Sequence, residues 1–537
     1  MLTLVTIGTF ASMSNEMDFL SHGLNVMSWL DEPATISRIK NLMNDFHVPG
    51  LAVAIVDGSE IRSRAFGYAS LDPQTPCTPD TVFDIASCSK ALTSLAVALL
   101  VENEHEFSTK VQWDSLMSSL LPDDFVLSTA EATNMVTVED VLSHRTGLPS
   151  HDLSILSIES KHPDTVRSIT RNLRHLAVSK EPKTTYQYSN MMYTVATHLI
   201  ETLSQQSFSH FLRERILRPL GMTSTFTGSA QVWASGQGDR FSTPYFFHDG
   251  KYHHTCHQDT PQGQGAGSIQ SSVNDYAKFI CAMMNRMDPI TRPIYESVTT
   301  PRISRTPGKT LEDRGKDGSP EASYALGWDV KHYRGAKIIA HDGIIAGYGS
   351  RMFMLPSQNI GAVILGNSEG AFHLSAIIQN SILDQVLETP FDQRGGFANS
   401  RVKRFKAQEA RREKNFKRNF ERREQAKGTL QVDMEAYQGS FWNIGYRTLI
   451  VREMDGCLCV DGRDHNISFI VLLEHVADNT IFRGYLVEII GDESDEEVLP
   501  VRFKFDTEGK VIAVGLGLEK ALGSDHLIWF SREEGRE

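Results

Sequence analysis

A serine and a lysine three residues apart stand at the start of an apolar, helix-favouring run of this chain. Residues 87–90 read Ser-Cys-Ser-Lys, after a strand-like segment at residues 81–86 and before the apolar run at residues 91–100. Because residues three apart share one face of a helix, Ser87 and Lys90 are predicted to point the same way from the first turn, where backbone N–H groups lack partners. A hydroxyl beside an amine at the positive end of a helix is what a serine nucleophile needs. Taken alone, the same pattern also fits an ordinary helix-capping serine.

Two later motifs supply further groups that such a nucleophile uses. Tyr188 and Asn190 belong to a Tyr-Ser-Asn sequence, and His341 and Gly343 to a His-Asp-Gly sequence after a strand-like segment. A phenol near a lysine ammonium has its pKa lowered, so Tyr188 is predicted to take a proton from serine. An asparagine offers both a donor and an acceptor, and a glycine lets a substrate approach an edge strand closely. The plainer interpretations are that Tyr188 is a loop residue and Asn190 a helix cap, and that His341 is a polar residue at a strand end.

In this order the three motifs resemble those of the serine β-lactamase and penicillin-binding protein superfamily, which are S-x-x-K, then Y-x-N, then K-T-G or a variant of it. The spacings of 101 residues from Ser87 to Tyr188 and 153 residues from Tyr188 to His341 suit the class C β-lactamase-like, peptidase S12-like branch. That branch holds esterases, D-peptidases and transesterases. The resemblance runs from about residue 36 to about residue 387.

The resemblance implies the catalytic residues one by one. Ser87 resembles the nucleophile that becomes acylated, and Lys90 resembles the amine that shares and relays the serine proton. Tyr188 resembles the general base, which later protonates the leaving group. A covalent mechanism of this kind splits one difficult step into two easier ones.

The resemblance also implies the groups that bind substrate. Asn190 is implied to contact a substrate amide, and the N–H groups of Ser87 and Ile344 are implied to form the oxyanion hole. Gly343 belongs to the third motif, where His341 replaces the lysine of K-T-G. Because a neutral histidine binds a carboxylate poorly, weak recognition of penicillin-like carboxylates is expected.

The chain has 537 residues, which is too long for one ordinary domain. Residues 36–390 are predicted to form an α+β fold, an antiparallel sheet flanked by helices plus a helical subdomain, with the active-site groove between the two. Residues 1–35 are predicted to be an N-terminal extension and residues 391–429 a basic helical linker. Residues 430–537 show short strands with tight turns and are predicted to form a small antiparallel barrel. Their start, at residues 437–441, resembles the lipocalin-like domain of some D-peptidases and esterases, and we expect this tail to fold separately and to shape the substrate range, not the chemistry.

Charge and composition argue against several classes of function. The net charge of −13 argues against nucleic acid as a main partner, although residues 394–427 carry a local excess of nine positive charges. Six thinly spread cysteines imply no disulfide framework. The N-terminal segment lacks the basic region of a signal peptide, so a cytoplasmic location is expected. No apolar run reaches the length of a membrane span.

Residues 226–265 are rich in histidine and aromatic residues, which raises the question of a metal site. Their spacing fits no zinc pattern, and the catalytic motifs need no metal. We therefore expect no cofactor, and we interpret the segment as a loop that lines the substrate groove.

These features predict a serine hydrolase that acts through an acyl-enzyme on ester or amide bonds, esterase-like or D-peptidase-like, with a small-molecule or peptide-like substrate. The same residues serve acyl transfer, so an acyltransferase, transesterase or thioesterase of a biosynthetic pathway is an alternative. A second class of function is a binding protein that has the same fold but no catalytic activity. The presence of Ser87, Lys90, Tyr188 and Asn190 argues against that class. The sequence leaves the physiological substrate and the oligomeric state open.

Overall fold

The structure is a computed structural model that describes residues 26–533 except 108, 259, 309–321, 395, 427–429 and 490–495. Most of the predicted N-terminal extension lies outside the described residues. The helices are α1 (Pro33–Asp45), α2 (Ser89–Glu102), α3 (Met117–Leu120), α4 (Ala130–Met135), α5 (Val138–Leu142), α6 (Val166–Asn172), α7 (Asn190–Ser204), α8 (Phe208–Leu212), α9 (Ser229–Ala234), α10 (Gln264–Gly267), α11 (Val273–Asn285), α12 (Arg292–Thr299), α13 (Gly370–Val386) and α14 (Phe397–Ala426).

The strands divide into a first group that builds the sheets and a last group that builds the barrel. The first group is β1 (Gly50–Asp57), β2 (Glu60–Leu71), β3 (Gln74–Pro76), β4 (Phe83–Asp84), β5 (Tyr245–His248), β6 (Lys251–His254), β7 (Gln270–Ser271), β8 (Ile303–Ser304), β9 (Ala322–Tyr324), β10 (Asp329–Tyr333), β11 (Ala336–Ile345), β12 (Tyr348–Leu355) and β13 (Ile360–Gly366). The last group is β14 (Gly439–Asn443), β15 (Arg447–Met454), β16 (Cys457–Gly462), β17 (Phe469–Ala477), β18 (Ile481–Glu488), β19 (Glu497–Phe505), β20 (Val511–Leu516) and β21 (Ile528–Arg532).

Nine strands form one antiparallel sheet in the order β3-β2-β1-β13-β12-β11-β10-β9-β8. The central strands β1, β12 and β13 are buried on both faces, which explains why they read as continuous apolar runs. Successive side chains of β1 enter opposite cores. Leu51 and Val53 face the core that contains α1 and α13, and Ala52 and Ala54 face the core that contains α2 and α11.

The sequence of residues 324–333 predicts a single strand, and this prediction is wrong. The structure has two short strands, β9 and β10, because the chain leaves the sheet between them to pack on α2. Gly327 lies at this turn with a φ of +77°, and a Cβ there would stand 2.7 Å from the Lys90 carbonyl oxygen. Only glycine allows this conformation and this approach.

The region between β4 and β7 is mostly helical, and α2 runs through it. Twelve of the fourteen residues of α2 are buried, so this helix is apolar nearly all round. It packs against α7, α10 and α12, and the turn that precedes its N-terminus contacts the strand β11. The helix therefore presents its first turn at the boundary of the sheet and the helical region.

The last eight strands, β14 to β21, close into an antiparallel barrel, and β14 pairs with both β15 and β21. The α+β fold with a C-terminal antiparallel barrel is therefore confirmed. The helix α14 precedes the barrel. It is anchored to α1 by an ion pair of Lys406 with Asp45 and to the barrel by a buried ion pair of Arg423 with Glu496, both with an N–O distance of 2.6 Å. Along the described parts of the chain, no helix is both long and apolar enough to cross a membrane.

Candidate active site

Ser87 lies in a short 3-10 turn, Ala86–Cys88, just before α2. Ala86 has a φ of +46°, a left-handed conformation that a non-glycine residue keeps only when its surroundings hold it. Asp84 holds it, because its Oδ1 accepts the Ala86 N–H at 2.8 Å while its Oδ2 accepts from Gln270 Nε2 at 2.9 Å. Burial raises the pKa of Asp84 to about 7. Neither Asp84 nor Gln270 stands out in the sequence, because they are far apart along the chain.

The Lys90 amine is buried and lies within hydrogen-bond distance of three oxygen atoms. Its Nζ lies 2.8 Å from Asn190 Oδ1, 2.6 Å from the Ala266 carbonyl oxygen and 3.2 Å from Ser87 Oγ. Burial lowers its pKa to about 7, against an opposing effect of the Asp152 carboxylate. A neutral amine has two N–H groups, and the two carbonyl oxygens take both. Its lone pair then faces the Ser87 hydroxyl, which is the geometry of a general base.

Tyr188 reaches the same hydroxyl from the other side and donates its O–H to Ser87 Oγ at 2.7 Å. The prediction that a nearby ammonium lowers the pKa of Tyr188 is wrong. Burial raises the pKa of this phenol well above its ordinary value, because desolvation disfavours the phenolate and outweighs the hydrogen bond with Ser87. Burial also lowers the pKa of Lys90 to about 7, so the ammonium assumed in that prediction is only partly populated near neutral pH. Tyr188 is a proton donor in this arrangement.

Asn190 connects Lys90 to a residue that the sequence does not single out. Its Nδ2 donates to Asp152 Oδ2 at 3.1 Å, while its Oδ1 accepts from Lys90. These two contacts fix which end of the amide faces the amine. Burial raises the pKa of Asp152 to about 6, and the Asn190 hydrogen bond opposes this shift. Asp152 begins a short 3-10 turn, Asp152–Ser154, and no local sequence pattern marks it as a neighbour of the catalytic residues.

Gly343 lies on β11 directly against the nucleophile turn. A Cβ there would stand 2.8 Å from the Ser87 nitrogen and 2.7 Å from the Ile85 carbonyl oxygen. The absence of a side chain at Gly343 thus lets the nucleophile turn pack closely against β11. This role is additional to the substrate approach that the sequence suggests. The next residue, Ile344, is 48 % exposed and lines the cavity beside Ser87.

His341 is placed behind the site and does not line the cavity. Only 4 % of the residue is exposed. Its Nδ1 lies 2.6 Å from the Asp342 carbonyl oxygen and must donate, so its Nε2 accepts from the Tyr324 hydroxyl at 2.8 Å. Burial lowers its pKa to about 4, which keeps the imidazole neutral. The structure thus brings together the other sequence-predicted site residues and leaves His341 as a neutral support of β11.

A cavity of about 270 Å³ opens beside Ser87. Its charged lining residues are Asp152 and Glu488, and no lysine or arginine is among the described residues that line it. The barrel contributes to its wall, at residues 466–468 and at Glu488. The cavity is lined by a set of amide and hydroxyl side chains: Asn190, Gln258, Thr260, Gln262, Ser268 and Asn466.

The histidine-rich segment divides between two places. Four residues of its last part, Gln258, Thr260, Gln262 and Gly263, line the cavity, as expected for a groove loop. Its hairpin, β5 with β6, packs elsewhere, and Phe247 stacks on His47 with 3.6 Å between ring centroids. Within the described ranges, no cluster of three His, Cys, Asp or Glu side chains is arranged to hold a metal ion.

Comparison with known proteins gives the family to which this chain belongs. The sequence profile of the Beta-lactamase family matches residues 36–381. Unguisins hydrolase ungD' of Aspergillus campestris is 31 % identical over 504 residues, covering 92 % of this chain and 91 % of that protein. The chain therefore belongs to the Beta-lactamase family, and its relatives support a serine hydrolase.

Two solved structures show the same fold. The octameric penicillin-binding protein homologue of Pyrococcus abyssi aligns with a TM-score of 0.57 at 19 % identity and covers 92 % of this chain and 98 % of its own. The D-amino acid amidase of Ochrobactrum anthropi SV3 aligns with a TM-score of 0.52 at 24 % identity and covers 67 % and 99 %. These two structures show the shared fold, and the family match confirms the resemblance to the serine β-lactamases that the three motifs indicate.

Proposed function

We propose that this protein hydrolyses an amide or ester bond through an acyl-enzyme on Ser87. The observation that carries the proposal is the position of the Ser87 hydroxyl between two buried groups, the amine of Lys90 and the phenol of Tyr188. The Lys90 amine at 3.2 Å accepts a proton, and the Tyr188 phenol at 2.7 Å donates one. Nucleophile, base and acid are thereby in hydrogen-bond contact before substrate arrives.

In the acylation step, Ser87 Oγ attacks the substrate carbonyl carbon and its proton passes to the Lys90 lone pair. The N–H groups of Ser87 and Ile344 are proposed to receive the developing oxyanion. Tyr188 gives its proton to the leaving nitrogen or oxygen as the scissile bond breaks, and the proton on Lys90 returns to the phenolate through the shared contacts. Water then attacks the ester by the same steps in reverse, which releases the acid and frees Ser87.

The cavity supports a substrate with amide groups and without a carboxylate beside the scissile bond. Amide and hydroxyl side chains match the donors and acceptors of a peptide-like molecule, whereas Asp152 and Glu488 repel an anion. The A. campestris relative is a hydrolase of unguisins, and we extend hydrolysis of a comparable small molecule to this chain. An acceptor alcohol or amine in place of water gives acyl transfer by the same residues, so the test below measures acylation itself.

The test is incubation of the full chain with a fluorophosphonate, followed by intact mass and peptide mapping. One adduct on Ser87 is expected, and Ser87→Ala should remove both the adduct and turnover of p-nitrophenyl esters and amino-acid amides. Ser381→Ala, on the remote helix α13, is the matched control and should react like the wild type. A wild-type chain that stays unlabelled, or an adduct that maps elsewhere, would refute the proposal.

We also propose that the protein acts in the cytoplasm. The six cysteines are free thiols, and four of them are buried, a state that suits a reducing compartment. Fractionation of cells that express the tagged full chain tests this. Recovery of the chain from the secreted fraction would contradict it.

A further inference from the structure

We propose that the C-terminal barrel is a working part of the catalytic centre, because it holds the turn that carries Asp152, and that Asp152 positions Lys90 through Asn190. The proposal rests on the proposed acylation of Ser87. It assigns Asp152, Tyr446 and Glu519 a role as positioning residues, and it goes beyond the expectation that the tail affects only the range of substrates.

Two side chains of the barrel domain form hydrogen bonds with His151, the residue before Asp152. Glu519 Oε2 accepts the His151 backbone N–H at 2.9 Å and the Ser150 hydroxyl at 3.1 Å. The Tyr446 hydroxyl lies 2.7 Å from His151 Nδ1. The two contacts with His151 are shielded from water, because His151 is 2 %, Tyr446 3 % and Glu519 9 % exposed, and the contact with Ser150 is partly buried. Buried hydrogen bonds of this kind are costly to lose, since each lost partner leaves a desolvated polar group.

The imidazole of His151 joins the barrel to the catalytic part in a defined tautomer. Its Nε2 lies 2.9 Å from the Ala177 carbonyl oxygen and must donate, so Nδ1 accepts from Tyr446. Burial lowers the pKa of His151, in keeping with this neutral form. The backbone of His151 has a φ of +48°, a conformation that a non-glycine residue keeps only when surrounding contacts fix it. The barrel supplies two of the contacts that hold His151, from Glu519 and Tyr446, and Ala177 of the catalytic part supplies a third.

The barrel also holds the chain on the far side of Asp152. The Asn466 N–H donates to the Ile155 carbonyl oxygen at 2.8 Å, and the Ser157 N–H donates to the Asp464 carbonyl oxygen at 2.9 Å. The turn at residues 151–154 is thus tied to the barrel before and after Asp152.

The position of Asp152 matters because it decides how the Asn190 amide is turned. With Asp152 Oδ2 accepting from Nδ2, the Asn190 oxygen faces the Lys90 amine. If the amide rotated, its NH₂ group would donate to the Lys90 lone pair and take the lone pair away from Ser87. Asp152 prevents this rotation, and the barrel keeps Asp152 in place.

The experiment measures the rate of fluorophosphonate labelling of Ser87 in the full chain. Tyr446→Phe, Glu519→Ala and Asp152→Ala should each label about tenfold more slowly, as expected for loss of a buried hydrogen bond. Tyr437→Phe is the matched control. Its buried hydroxyl donates to the Asn479 carbonyl oxygen at 2.7 Å inside the barrel, so its labelling rate should equal that of the wild type.

A double-mutant cycle separates positioning from loss of folding. In the Asp152→Ala background, Glu519→Ala should cause no further loss of rate, because both act through one contact. Asp152→Asn keeps an acceptor for Asn190 and should recover most of the rate. Additive losses, no recovery by Asp152→Asn, or wild-type labelling by folded Tyr446→Phe and Glu519→Ala would overturn the proposal. A wild-type chain that is not labelled at Ser87 would instead refute the proposed function.

Discussion

The Lys90 amine nitrogen lies 4.7 Å from the centroid of the Tyr188 ring, and the two side chains share the Ser87 hydroxyl. Burial acts on them in opposite directions, since it lowers the pKa of the amine and raises the pKa of the phenol. Both groups are therefore stabilised in their neutral forms. Above about pH 7, an amine that accepts and a phenol that donates make a complete proton path through Ser87 with neither group charged.

The rate of Ser87 acylation should rise as the pH increases through about 7, where Lys90 loses its proton. Below that pH the ammonium has no lone pair for the serine proton. Labelling rates from pH 5 to 9 check this, and Lys90→Ala should give a slow rate without this inflection. A wild-type rate that is flat across pH 7 would contradict the role of Lys90. The ionisable groups that bear on Lys90 are Asp152, Cys88, Tyr188, Tyr193, His144 and His341.

Lys90 and Tyr188 should behave as one unit in mutagenesis. Lys90→Ala and Tyr188→Phe are each expected to lower kcat by about 10³-fold, the usual size of a general acid–base contribution. The double variant should lose little more, because each group depends on the other to complete the proton path. Steady-state rates on one p-nitrophenyl ester give all four values. Fully additive losses in log kcat would show that the two residues act separately.

The enzyme should be a poor β-lactamase. His341 is buried and bonded to Tyr324, so it cannot meet a drug carboxylate, and the cavity carries Asp152 and Glu488. We expect kcat/KM for short-chain esters to exceed that for nitrocefin by about a hundredfold, the order of one lost charge-assisted hydrogen bond. Parallel assays of the two substrates measure it. A higher value for nitrocefin would contradict this account of the cavity.

Gly343→Ala should inactivate the enzyme through the backbone. The new Cβ would stand 2.8 Å from the Ser87 nitrogen, so the nucleophile turn must move. A displacement of about 1 Å costs roughly a hundredfold in rate, and overpacking costs about 1–3 kcal/mol of stability. Labelling rate and thermal unfolding check both effects. Gly396→Ala is the control, because a Cβ there meets nothing within 4 Å, and it should change neither quantity.

The sequence predicts those parts of the site that sit in local motifs. Ser87 and Lys90 are three residues apart beside a clear apolar helix, so their proximity follows from helix geometry. Asp152 and Glu519 could not be predicted, since hydrogen bonds link them to residues distant in sequence and no local pattern marks them. The pKa of Tyr188 was also out of reach, because its direction depends on burial by the whole fold.

The fold shows the same division. The alternating apolar pattern and tight turns of the tail are local signals, and the barrel they predict is present. The break between β9 and β10 is not local, since Gly327 turns away from the sheet to meet the Lys90 backbone on α2. A pattern of apolar residues does not reveal which neighbour interrupts a strand.

The pairing of β14 with β21 has a consequence for how the protein is made. The barrel closes only when its last strand exists, and the ribosome must add more than 400 residues after Ser87 before that point. At about 5–20 residues per second this takes roughly 20 to 90 seconds. Because Tyr446 and Glu519 belong to the closed barrel, the proposed positioning of Asp152 cannot form in a nascent chain that still lacks β21. We therefore expect full acylation of Ser87 only once β21 has been made and has paired with β14.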